Sequence, residues 1–284
     1  MDIKSVSASG IKTFEVCKHK FYTEYILKIR PDANPSARLG KAFHSMFELA
    51  CKAKTQGKEL EKQDPFYYRE QAISENKVLE EDLPILDQLT RNCLEWGYMN
   101  ISDAVGFEKE IKFNLPCGIP VIGYIDRLDI DRNWKADIID LKTQKNVFTK
   151  EELGNNWQAK IYFLGAVNDN PFIDGDVNVN FWIVRHKIQN TKINVMAFDS
   201  VLDSLDKKTV EILNSDGQEC RPSGLCRFCA SPDCKNRSVI KINSFQKKEE
   251  SSSVKDIKAM LKRIKGQMDK ETKTTLQDDD ISMF

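Results

Sequence analysis

Between residues 37 and 53, apolar positions recur at steps of three and four. Phe43, Met46, Phe47 and Ala50 form one stripe, the period of a helix buried along one face. Gly40, His44 and Glu48 step by four through the same segment, so they share another face. Upstream, residues 9–29 predict one helix, entered through serines and followed by Pro31; downstream, polar helices continue to about residue 98. The period then changes. Residues 107–115, 119–130 and 136–143 alternate, are rich in β-branched side chains and are separated by turn sequences at Pro116-Cys117-Gly118 and Asp131-Arg132-Asn133. They predict an antiparallel meander. Residues 151–167 return to helix, 177–185 and 192–198 read as two further strands, and 200–213 as a last core helix. This order implies an α/β (α+β) fold in which a mixed central β-sheet is flanked by helices.

After residue 236 the composition turns polar, which divides the chain into a folded domain over 1–240 and a tail over 241–284. In the tail, Ser251-Ser252-Ser253 reads as a linker. Val254, Ile257, Leu261, Ile264 and Met268 are spaced for a short amphipathic helix, and residues 278–284 end as three aspartates followed by Ile-Ser-Met-Phe. Lys plus Arg equals Asp plus Glu at 43 each, so net charge says nothing about a polyanionic partner, and only a local basic groove would serve one. No apolar run approaches the ~18 residues of a membrane span, and no secretory signal opens the chain, so the sequence reads as soluble, intracellular and kept in a reducing cytoplasm. In that setting eight cysteines point to metal ligation more than to disulfides. Cys51, Cys93 and Cys117 stand in apolar or strand-like surroundings and read as small buried hydrophobes.

The candidate chemistry lies in the meander. Gly123-Tyr124-Ile125-Asp126-Arg127 falls on its second strand and Ile139-Asp140-Leu141-Lys142 on its third. Phosphodiester hydrolysis needs a divalent cation, and carboxylates with a neutral imidazole suit Mg²⁺ or Mn²⁺. Asp140 and Lys142, two apart on a strand, leave the same face, where the lysine can orient water and neutralise charge. His44 is either a third ligand or a satisfied core histidine between Phe43 and Phe47. Asp129 reads as a surface carboxylate in a turn, and Glu108 and Glu110 as edge-strand charges.

Taken in order, these motifs resemble the RecB-like branch of the PD-(D/E)xK nuclease superfamily, in particular its iron-sulfur members: AddB nuclease domains and the CRISPR-adaptation exonucleases. The matches are His44 within Gly40-x3-His44-x3-Glu48, Asp126 within Gly-Tyr-Ile-Asp-Arg, Asp140-Leu-Lys142, and Gln158-x3-Tyr162. The resemblance implies a restriction-endonuclease-like core whose metal is held by His44, Asp126 and Asp140. Asp126, Asp140 and Lys142 would be its catalytic residues, with Gln158 and Tyr162 at the DNA, where Tyr162 and Trp157 would stack on bases. It also implies a [4Fe-4S] cluster on Cys17, Cys226, Cys229 and Cys234, with Cys220 as a substitute ligand and Zn²⁺ as the alternative metal. The implied activity is metal-dependent DNA exonuclease, acting on single strands or ends in recombination, repair or replication; the alternative is a non-catalytic DNA-binding scaffold. The final residues are similar both to the acidic tip of single-strand-binding proteins and to a sliding-clamp peptide, which implies a replication or recombination protein as partner.

Overall fold

A computed structural model describes residues 1–222 together with Cys226, Cys229, Ala230, Ser231 and Cys234. The chain falls into two units, Met1–Arg221 and Pro222–Phe284; the amphipathic helix and acidic terminus read from the sequence lie outside the described residues.

In the first unit, a five-stranded sheet runs in the order β1 (Ala104–Asn114), β2 (Pro120–Ile130), β3 (Ala136–Lys142), β4 (Asp176–Ile183), β5 (Lys187–Asn194). β1–β2–β3 is the expected antiparallel meander, β3 and β4 are parallel, and β4–β5 is a hairpin. The parallel step needs a crossover, supplied by α6 (Lys150–Gly154) and α7 (Trp157–Asp169). Mixed strands flanked by helices bear out the fold read from the sequence.

Two apolar clusters cover the sheet. One joins α1 (Ala8–Val16), α7 and α8 (Phe198–Asn214) to Ile111, Val121, Ile125, Ile138 and Val179. The other joins α3 (Pro35–Thr55), α4 (Arg69–Asn76) and α5 (Leu83–Glu95) to Ile139, Leu141 and Trp182. Ile138 and Ile139 fall in different clusters, as alternation on a central strand buried on both faces requires. The predicted stripe of α3 is the one it buries: Phe43, Met46, Phe47 and Ala50 are all at most 1 % exposed.

Several boundaries differ from the sequence reading. The single helix over 9–29 is interrupted at Cys17, whose backbone is extended (φ −164°, ψ 114°), and resumes as α2 (Lys18–Phe21) and a π-helical turn, Tyr22–Ile26. The helix over 151–167 is two helices, because Asn156 leaves helical geometry to cap α7 with its side chain on Gln158 N and Ala159 N. The last strand lies earlier than expected: residues 195–197 form a 3₁₀ turn and helix begins at Phe198. Cys51 and Cys93 are fully buried as expected, and burial pushes both thiols up, Cys51 to about 12. Cys117 is only half-buried, since its turn backbone is tied to the Asp206 carboxylate.

Candidate active site

The β2–β3 ladder runs from Ile130↔Ala136 to Arg127↔Ile139 and stops there. The next residues toward the opening are Asp126 and Asp140. The separating strands leave the Leu141 N–H without a ladder partner, and Asp126 Oδ2 accepts it at 2.6 Å. One carboxylate therefore closes the break in the sheet and remains beside α3, where His44 Nδ1 stands 3.4 Å from the same oxygen.

Glu108 completes this cluster. Its Oε1 lies 3.9 Å from His44 Nδ1, and one ligand atom from each of His44, Glu108 and Asp126 lies within 4.8 Å of the others. Strict alternation would put Glu108 and Glu110 on one face. Glu108 instead adopts a left-handed backbone, φ 44°, between the paired positions Phe107↔Arg127 and Lys109↔Ile125, which breaks the alternation. Glu110 consequently ends at the exposed Tyr124 hydroxyl, while Glu108 reaches His44. The reading of Glu108 as a mere edge-strand charge is thus corrected. A positive φ at a non-glycine residue costs free energy that neighbouring structure must offset, and such residues gather at functional sites.

Asp140 faces the other helical layer. Its Oδ1 accepts from Gln158 Nε2 at 2.7 Å, and the same nitrogen donates to the Tyr162 hydroxyl at 2.7 Å. Lys142 Nζ approaches Asp140 Oδ2 to 2.6 Å and donates to Gln158 Oε1 at 2.9 Å. The lysine's approach to Oδ2 makes an ion pair without hydrogen-bond alignment, so that buried oxygen accepts no hydrogen bond among the described residues. Tyr162 is buried, its ring in the core and its hydroxyl on Gln158. It therefore holds the cluster in place and has no face for a base to stack on. Trp157 is half-buried, with its indole N–H on Glu15 and Lys160 over its ring. Asp129 is not in a turn but on β2, half-buried, and is forked by Arg127, whose guanidinium also bonds the Tyr98 and Asn100 carbonyls.

The electrostatics distinguish the two aspartates. Burial raises Asp140 to about 6 against the opposing pull of Lys142. Burial acts on Asp126 in the same sense, but His44 and Lys142 overcome it and hold that carboxyl below its ordinary range. Burial disfavours a charged His44, yet Asp126 and Glu108 push it up to about 10. A cationic ring thus stands beside two carboxylates, and once it gives up its proton the three residues each offer one ligand atom to a shared cation. Octahedral Mg²⁺ with bonds of ~2.0–2.1 Å needs ligand atoms about 3–4 Å apart, close to the spacings seen. An open groove of about 1260 Å³ leads away from Lys142 and Gln158 past Gln144 and Tyr124 toward α1.

Of the residues singled out in the sequence, the structure brings His44, Asp126, Asp140, Lys142, Gln158 and Tyr162 together. Cys17 caps α2, its sulfur accepting from Lys20 N at 3.4 Å. In the second unit, Cys226, Cys229 and Cys234 are buried, and Cys229 N donates to Cys226 O at 3.1 Å.

Two aspartates and a lysine thus meet where the central strands of a mixed sheet part. The family described as the PD-(D/E)XK nuclease superfamily matches residues 5–234, and the chain belongs to it. It is 24% identical over 227 residues to a subunit of the ATP-dependent helicase/deoxyribonuclease of Streptococcus pyogenes serotype M12 (strain MGAS2096), and 23% identical to the same protein from serotype M6 (strain ATCC BAA-946 / MGAS10394). These alignments cover 75% of this chain but 21% of each relative, so it spans about a fifth of their length. A solved structure of a candidate exonuclease from Eubacterium rectale shares the fold, with a TM-score of 0.50, 11% identity, and coverage of 81% of this chain and 86% of that one. Among the described residues no helix is long and apolar enough to cross a membrane.

Proposed function

We propose that this chain is a Mg²⁺- or Mn²⁺-dependent DNA exonuclease. The observation that carries the reading is the meeting of His44, Glu108 and Asp126 within 4.8 Å of one another, at the strand opening shared with the Asp140–Lys142 pair. His44, Asp126 and Asp140, with Glu108, would hold the cation. When bound, it supplies positive charge for the attacked phosphate and lowers the pKa of water. The protein's own groups do the rest. Lys142, oriented by Asp140 and Gln158, presents an ammonium that fixes a water and offsets charge gathering on the phosphate. Gln158 and Tyr162 keep the Asp140 carboxylate in one orientation, and Gln158 lines the groove through which a strand would arrive.

Cys17, Cys226, Cys229 and Cys234 are proposed as ligands of a [4Fe-4S] cluster. Support comes from their spacing, their burial and the N–H donated to Cys17 sulfur, a bond of the kind that tunes thiolate ligands. We take 1–240 as the nuclease domain and 241–284 as a tail docking on a replication or recombination protein, a reading supported by its sequence alone. Exonuclease action is checked with linear and covalently closed single-stranded DNA carrying the same sequence. Products that accumulate from linear DNA while circles stay intact are expected, and equal loss of both would make the enzyme an endonuclease.

A further inference from the structure

The segment following the catalytic lysine is fastened to the β4–β5 turn. Val184 N donates to Lys142 O at 3.0 Å, Arg185 Nε to Thr143 O at 2.7 Å, and His186 Nε2 stands 2.6 Å from Lys145 O. Residues 143–149 and 184–188 therefore form one surface beside the active site. Between them they carry Lys145, Arg185, His186 and Lys187 and no carboxylate. Lys145, His186 and Lys187 are exposed, and neither Lys145, Arg185 nor Lys187 pairs with a carboxylate among the described residues. The groove that opens at Lys142 and Gln144 differs: Lys4, Lys12, Lys28 and Arg30 share its walls with Asp2, Glu15, Glu151 and Glu152. In a chain of zero net charge, this rim of the site therefore carries basic side chains and no acidic one.

We propose that this rim, Lys145 with the turn Arg185–Lys187, holds the phosphate backbone of the nucleic acid next to the scissile position. The proposal rests on the nuclease reading of the adjoining site. Arg185 is occupied in holding the Thr143 carbonyl, which fixes the turn; Lys145 and Lys187 supply mobile charges to phosphates one or two nucleotides away. Contacts of this kind position a strand without reading its sequence, and each counterion displaced leaves its mark on the salt dependence of binding.

The test measures binding of a fluorescent single-stranded oligonucleotide in EDTA, over a series of salt concentrations, for the protein and its Lys145→Ala/Lys187→Ala variant. Removing two phosphate contacts should lower the slope of log K against log salt by about 1.4 and weaken binding roughly tenfold or more at low salt. Lys145→Arg/Lys187→Arg should restore both. The pair Lys62→Ala/Lys207→Ala removes the same net charge from helical surfaces elsewhere and should change the slope by less. An unchanged slope in the first variant, or an equal change in the control pair, overturns the proposal. Hydrolysis of bis(4-nitrophenyl) phosphate by the unsubstituted protein tests the nuclease reading separately, because so small a diester does not extend to the turn.

Discussion

Asp126 and Asp140 have the same side chain and opposite surroundings, and the difference was only partly legible in the sequence. Their order and the x-K spacing were visible, as was His44 on the helix before them. Glu108 was not, because the signal that places it is a backbone angle: alternation assigns it the same face as Glu110, and nothing in the local composition announces a left-handed residue within a strand. Glu108→Gln should keep the fold but weaken Mn²⁺ binding, roughly tenfold or more, measured by calorimetry; unchanged affinity would remove Glu108 from the ligand set. His44 gives a pH signature. Its folded pKa, about 10, lies above the usual 6.5, so the stabilisation from its pairing with Asp126 is complete below about pH 6.5 and lost as pH rises through 10. In metal-free protein the stability difference from His44→Ala should shrink across that window. Added Mn²⁺ must displace the same proton, so its stabilising effect should grow with pH over the range. Thermal melts at pH 6.5, 8 and 9.5, with EDTA and with Mn²⁺, check both signs.

Among elements, long periodic segments were the legible ones. α3 and the meander appear where their patterns put them, since burial along one helical face and alternation on central strands are strong, local constraints. The failures are at breaks. Cys17 and Asn156 interrupt apolar patterns that continue on either side, and each break serves a cap, a side chain bonded to the start of the next helix, which apolar periodicity does not register. Close packing at Gly165 was equally hidden. A Cβ there would lie 2.5 Å from Ile111 Cδ1 and 2.7 Å from its Cβ, so α7 approaches β1 only because position 165 has no side chain. Gly165→Ala should cost about 1–3 kcal/mol by overpacking and displace the helix that carries Gln158 and Tyr162. Gly154→Ala, with nothing within 4 Å, should be neutral or stabilising by up to about 1 kcal/mol. Urea unfolding of the two variants separates these outcomes; equal stability in both would mean that α7 yields without strain.

At the scale of the molecule, zero net charge concealed how charge is arranged, since formal balance in composition permits a cation-only rim beside a cluster rich in carboxylates. The four proposed cluster ligands are legible only as spacing; burial of each thiol adds to the case. Anaerobically prepared protein should contain iron and acid-labile sulfide in equal amounts, and stoichiometric zinc without sulfide would favour a zinc staple. Removing residues 277–284 should leave hydrolysis of naked DNA unchanged while the docking partner no longer co-purifies; recovery of the same proteins with both forms would discard the tail's proposed role. Every role proposed above requires one site that acts on phosphodiesters. The direct measurement is degradation of labelled DNA with Mn²⁺ by the protein and by Asp140→Ala, with DNA binding and thermal melting recorded for both. The expected result is metal-dependent cleavage that falls by at least roughly a hundredfold in the variant while binding persists. Cleavage by Asp140→Ala at near-native rate, or none by the native protein with either Mg²⁺ or Mn²⁺, would contradict it.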